Sequence, residues 1–451
     1  MKKTADIVKE EVSFSGKLSY GIGGMAGEIV YSSISFYLMY FLTDVALISP
    51  AVGGLIMAIP RAWDAFADFF MGYLSDFVRS KRMLILIGAI PLGISFSLLF
   101  QVPDFSVIGK EIYFTVIALL AWTLQSFTTM PYFSMVPNMT MDTHERTKIM
   151  AYSKIFGMVT LLLLGGAFLP LVNLFSDGAN QASGFSKLAI IIGIIVAVIW
   201  IITGLASREK HTVSAEHRYK FKEGFGLIKQ NKPYLILIAV VCIEFTIFTM
   251  VVMVMNYFFK YCVPFESFIP IAFICLFAVA AVSMPLWVII SKKIGKKLVY
   301  QIGFIGFGLT LLANFFNSEP NMLFLLPLFI LAGFFFCGLS LSFLSNTPDT
   351  VDYGQWKTGS RCEGFQYGLY NFTIKAAGSI SGLIVGFALE YSGYVPNVQQ
   401  SEGSLMAIRL LLTVVPFLLC VLGAIVMQWY KLDETMHKQI RSDLETKHAI
   451  S

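Results

Sequence analysis

Long apolar blocks, each broken by a short polar stretch, recur along the chain from near residue 18 to near residue 430. A helix needs about 20 mainly apolar residues to cross a bilayer, and the blocks reach that length. Their apolar positions run on continuously, whereas the strands of a barrel alternate. In lipid only helices and closed barrels satisfy their own backbone, so the pattern predicts an all-α membrane protein. Twelve transmembrane helices are expected, at 18–43, 49–74, 83–102, 110–138, 149–175, 187–206, 233–259, 267–291, 298–316, 322–346, 364–390 and 404–430. A polar, basic stretch divides them into two halves of six. The expected organisation is a six-helix bundle over 1–206, a linker over 207–232, a second six-helix bundle over 233–430 and a polar tail over 431–451. Residues 1–16 are polar and the first block is too long for the apolar core of a signal peptide, so it reads as the first span.

Basic residues orient the spans, because cytoplasmic loops carry the excess of Lys and Arg. One set of loops holds Arg79, Lys81 and Arg82; Arg146 and Lys148; the linker; Lys292, Lys293, Lys296 and Lys297; and Lys357 and Arg361. The other set offers Lys110, Lys187 and Lys260. Both termini are therefore expected in the cytoplasm. The loops after the second and eighth spans are equivalent basic hairpins, which suggests a duplicated carrier with its site at the midplane between halves. The plainer reading is that any cytoplasmic loop is basic.

Composition narrows the class further. Hydrophobic residues make up 56% and charged residues 14% of 451, against about a quarter charged in soluble domains. The net charge of +5 is spread over short loops, so no nucleic-acid partner is expected. The Cys residues fall mostly inside apolar blocks and read as small packing residues. The five His lie in polar segments. No phosphate-binding loop, metal cluster or G-x-S-x-G pattern occurs, so neither an enzyme nor a cofactor is expected.

Ionisable residues inside spans are costly and usually functional. The second span contains Arg61, Asp64 and Asp68, spaced to share one helical face. Two carboxylates so placed repel in a low dielectric. Either one takes a proton or a cation sits between them, which is the chemistry of a cation-coupled carrier. The competing reading is a structural Arg61–Asp64 ion pair. Glu28 follows Gly21, Gly23, Gly24 and Gly27, which permit close helix approach. Glu28 can accept paired hydrogen bonds from a sugar, and Lys154 and Lys375 can donate to sugar oxygens or exchange acidic partners. Lys154 can also snorkel to the membrane edge. Glu244 either faces a cavity or pairs with a neighbour.

Several motifs carry a resemblance over nearly the whole chain. They are Lys17-Leu-Ser-Tyr-Gly-Ile-Gly23, Tyr37-Leu-Met-Tyr40 with Thr43-Asp44-Val45, Arg61-x-Trp63-Asp64-Ala65-x-x-Asp68, Pro131-Tyr-Phe-Ser-Met-Val-Pro137, Glu145-Arg146, Asp349-Thr-Val-Asp352-Tyr353-Gly354 and Arg361-Cys-Glu363. In their number and order they resemble the glycoside–pentoside–hexuronide:cation symporter family of the major facilitator superfamily. The resemblance implies the major facilitator fold, alternating access, and import of a sugar or glycoside with Na+ or H+ across a bacterial cytoplasmic membrane. It assigns Asp64 and Asp68 to the cation site, with Thr129 where the family has an acidic residue. It assigns Glu28, Lys154, Phe133, Tyr370, Asn371 and Lys375 to the sugar. Arg61, Lys375 and Arg361 join a charge network.

The chain departs from the family pattern at Thr129, at Ala67 in place of an Asn, and at Phe133 and Ser340 in place of two Trp residues. A metal ion wants several oxygens, whereas a proton needs one carboxylate. The losses therefore favour H+ over Na+, with Na+ at Asp64 and Asp68 as the alternative. The expected partners are a small-molecule sugar, the coupling cation and the bilayer, and a monomer suffices. Two other readings keep the fold: a transporter-like sugar sensor, and a carrier of a non-sugar amphipathic solute.

Overall fold

The computed structural model describes residues 12–78, 80–140, 143–178, 180–207, 221–317, 319–360 and 362–450. Arg361, expected in the charge network, lies outside them, as does half of the linker, 208–220. Among the described residues the fold is all helix and no strand forms. The helices are α1 (Phe14–Ser33), α2 (Pro50–Phe77), α3 (Lys81–Leu99), α4 (Val107–Met139), α5 (Thr143–Phe175), α6 (Gln181–Ala206), α7 (Phe221–Gln230), α8 (Lys232–Tyr257), α9 (Ile269–Ile294), α10 (Lys296–Ala313), α11 (Met322–Thr358), α12 (Glu363–Tyr391), α13 (Glu402–Leu412), α14 (Val414–Val426) and α15 (Glu434–Ile450).

Each expected span has its helix, with α13 and α14 sharing the last. Ten helical segments among the described residues are long and apolar enough to cross a membrane by length and composition. The other two spans are α1, extended by π-helical turns at Ile34–Leu38 and Phe41–Val45, and α2. These two carry the glycines and the Arg61, Asp64 and Asp68 charges that lower their apolar character. Two differences from expectation exceed a shift of a turn or two. Part of the polar linker is helical, as α7. Helix α11 runs past its expected end at 346 to Thr358, where Gly359 stops it at φ 74°. Hydropathy registers only the apolar part of a helix, and the last turns of α11 are polar. They dock on α15, where the Trp356 indole donates to Asp443 at 3.0 Å.

The chain forms two compact units, Met1–Ile34 with Phe66–Glu216, and Ser35–Ala65 with His217–Ser451. By packing, residues 35–65 group with the later helices although they precede the linker. In the first unit α1 lies against α5 and α6, and α3 against α4 and α6. A side chain at Gly24 would stand 2.6 Å from the Ser153 carbonyl oxygen, so α1 and α5 approach at backbone distance, as small residues allow in membranes. In the second unit α8 packs on α12 and α14, and α11 on α9 and α10. The Asn256 side chain ties α8 to the Phe36 carbonyl at 2.8 Å.

Candidate functional site

In the second unit the first half of α2 runs antiparallel to α12. A Cβ on Gly54 would meet the Gly382 carbonyl at 2.6 Å and the Gly386 Cα at 3.0 Å, so the two backbones touch. Two turns further along α2, a Cβ on Gly378 of α12 would lie 3.5 Å from Arg61 Nε. The next contact joins the charges. Lys375 Nζ lies 2.6 Å from Asp64 Oδ2, and Arg61 Nη1 lies 3.1 Å from the same oxygen. Lys375 also donates to the Asp64 carbonyl at 3.2 Å. Asp64 is 1% exposed. A carboxylate so buried is tolerated only when it is paired, and here two cations pair it. The structure thus brings Arg61, Asp64 and Lys375 together.

Asp68, one turn later on α2, belongs to the first unit and is half-buried. The Ser126 hydroxyl of α4 donates to Asp68 Oδ1 at 2.7 Å. Thr129 sits one turn beyond Ser126. Its hydroxyl is buried without a hydrogen bond among the described residues, and it lies 3.9 Å from where a Cβ on Gly27 would be. Thr129 therefore faces α1, and the hydroxyl that α4 sets on Asp68 is Ser126. Sequence reasoning missed Ser126; its signal was the spacing of three residues from Thr129.

Glu28 is half-buried on α1 and accepts from Ser32 at 2.7 Å. Its other oxygen lies 4.0 Å from a Cβ position on Gly157 of α5, one turn past Lys154. Gln125 of α4 donates to the Gly27 carbonyl at 2.9 Å. Lys154 and Phe133 are exposed, with the Phe133 ring 5.3 Å from that of Tyr132. On α12, Tyr370 stacks on Phe343 with centroids 3.9 Å apart, and Asn371 is exposed.

A second buried anion of the later unit also escaped the sequence reading. Asp44 Oδ1 accepts from Lys260 at 2.8 Å and from the Tyr261 hydroxyl. Its Oδ2 accepts from Thr43 and Tyr394, both at 2.7 Å. The Asn397 amide donates to the Asp44 carbonyl at 2.6 Å. Burial, and then the Asp44 charge, push the Tyr394 phenol upward, so it remains a donor. The sequence counted Lys260 only as a loop cation. In the first unit, Glu145 takes Lys148 on one oxygen and Lys17 on the other, both at 2.7 Å. The Lys148 and Lys17 contacts hold its carboxyl down at about 2.

Known proteins bear on this arrangement. A family model described as MFS/sugar transport protein matches residues 19–434. The isoprimeverose transporter of Lactiplantibacillus pentosus is 30% identical over 453 residues, covering 98% of this chain and 94% of that one. The putative sulfoquinovose importer of Salmonella typhimurium is 28% identical, over 94% of this chain and 91% of that one. The crystal structure of a D-xylose-proton symporter shares the fold, with a TM-score of 0.69 at 14% identity over 94% of this chain and 99% of that one. These relatives are membrane transporters, not enzymes, and they imply a small-molecule substrate for a multi-pass membrane protein. The chain belongs to the MFS/sugar transport protein family, within the glycoside–pentoside–hexuronide symporters of the major facilitator superfamily.

Proposed function

We propose that the protein imports a sugar or glycoside together with a cation, H+ in preference to Na+, by alternating access. The membrane is a bacterial cytoplasmic membrane, both termini are cytoplasmic, and one chain suffices. The observation that carries this reading is Asp64, a carboxylate 1% exposed inside a span and held by Arg61 and Lys375, one helical turn before Asp68. Asp68 is the group that loads the cation. A serine hydroxyl can donate to a carboxylate and, rotated, accept from a carboxylic acid, so Ser126 serves Asp68 in either protonation state. A metal ion wants several oxygens, and the chain has Thr129 and Ala67 where the family pattern has an acid and an amide. Neutralising Asp68 changes the charge balance along α2 and biases the carrier toward the sugar-binding state, so each ligand promotes the other.

Glu28, Lys154, Phe133, Tyr370, Asn371 and Lys375 contact the sugar in this reading. The names of the relatives support a sugar or sugar derivative as the class. The test is uptake into energised membrane vesicles, screening neutral glycosides, pentosides and hexuronides under a proton gradient alone and a sodium gradient alone. The expected result is accumulation above equilibrium of one class under the proton gradient. Asp68→Asn should abolish accumulation while sparing exchange. Absence of concentrative uptake of every sugar under both gradients would overturn symport.

A further inference from the structure

Helix α8 buries one acid in its apolar interior, Glu244, at 4% exposure. Its hydrogen-bond partner is neutral: the Tyr300 hydroxyl of α10 donates to Glu244 Oε2. Tyr300 is fully buried, and so is Cys420 of α14, which lies within electrostatic reach of the same carboxyl. Among the described residues no Lys, Arg or His lies within ion-pair distance of Glu244.

Among the described residues, the nearest charged groups of α11, α12 and α13 are engaged elsewhere. Lys375 of α12 is on Asp64, Asp349 of α11 is on Lys296 at 2.6 Å, and Arg409 of α13 reaches Cys262 at the far end of the span. The Thr246 hydroxyl donates to the Cys242 carbonyl of the preceding turn of α8 at 2.7 Å. Tyr370 of α12 lies within electrostatic reach of Tyr300. An ionised carboxylate in such a setting has one neutral donor to set against the loss of its hydration, which does not offset it, whereas a neutral acid loses little. Asp64, in the same unit, shows what an ionised carboxylate requires here, namely two cations.

We propose that Glu244 is a proton-binding site of the C-terminal unit, carrying H+ at neutral pH. The proton sits on Oε1, Oε2 is the carbonyl oxygen that accepts from Tyr300, and the phenol keeps its own proton. On release the proton passes to water. The site is separate from Asp68 and holds whether or not Asp68 loads a cation.

The experiment is infrared spectroscopy of the purified full chain, reconstituted without sugar in ether-linked lipid, which has no ester carbonyl, and titrated upward from pH 7. Water-facing carboxyl groups are ionised there, with ordinary pKa values of about 4, so the protonated-carbonyl region is nearly clear. The wild type should show a carbonyl band that Glu244→Gln removes and Asp68→Asn retains. A symport failure in vesicles would leave this band untouched, so the two readings fail separately. Gln reproduces the shape and acceptor of the neutral acid, and the variant should fold. If it does not, Tyr300→Phe decides, because losing the phenol donor must move the band to higher wavenumber. No band lost in Glu244→Gln, or an unshifted band in Tyr300→Phe, would overturn the proposal.

Discussion

Asp64 and Asp44 are both buried carboxylates of the same compact unit, and they are held in different ways. Asp44 is enclosed. Both of its oxygens accept, from Lys260, Tyr261, Thr43 and Tyr394, and its own carbonyl takes the Asn397 amide. Three of those donors are hydroxyls on short or rigid side chains. Asp64 instead gathers Arg61 and Lys375 on one oxygen, at the tips of long, flexible stems that can change partner as local charge changes. Burial alone therefore does not distinguish the two carboxylates. The type of donor and the way it is held separate them.

The sharpest way to break this contrast is to neutralise each acid in turn. Asp64→Asn leaves two buried cations facing an amide. It should cost about 3–5 kcal/mol, the usual result of removing one partner of a buried ion pair, and abolish concentrative uptake. Thermal unfolding in detergent and vesicle uptake check both halves. Asp44→Asn keeps acceptors for the hydroxyls and loses the charge-assisted bond to Lys260. It should cost about 1.5–3 kcal/mol and leave the cation-to-sugar ratio unchanged. Loss of coupling without loss of stability at Asp44 would reverse the assignments.

Backbone contact gives a smaller effect. Gly54→Ala drives a methyl into the Gly382 carbonyl and should cost about 1–3 kcal/mol, displacing Arg61 and Asp64 from Lys375. Gly27→Ala meets nothing closer than 3.7 Å and should change stability by less than about 0.5 kcal/mol. Equal effects from the two would show that the α2–α12 approach does not position the charges.

The smallest effect concerns Glu145, whose folded pKa of about 2 lies below its ordinary 4.5. A depressed acid adds stability that is complete above its unfolded pKa and fades as pH falls through the folded one. Melting temperature should therefore decline between about pH 5 and pH 2, and Glu145→Gln should flatten that decline. Lys148 is 58% exposed, so Lys148→Met should cost about 0–1 kcal/mol. An unchanged acid slope in Glu145→Gln would remove Glu145 as an anchor comparable to Asp44.

The twelve spans, their order and the charged face of α2 could all be read along the chain. Arg61 and Asp64 are three residues apart, and any helix places them together. Lys375 could be singled out as an intramembrane cation, yet its partner could not, because 311 positions separate it from Asp64. Ser126 offered only its spacing of three residues from Thr129, since a serine in a span is unremarkable until a carboxylate stands opposite it. Tyr300 was silent for the same reason, and Glu244 remained ambiguous until its neighbours were seen.

The long apolar runs by themselves determined that this is a helical membrane protein, because lipid leaves the backbone of a spanning segment few other ways to close its hydrogen bonds. The tertiary structure decided which carboxylate meets which donor. That choice depends on which helices approach within a few ångströms, and here the approach is set by glycines as remote in sequence as Gly54 and Gly386.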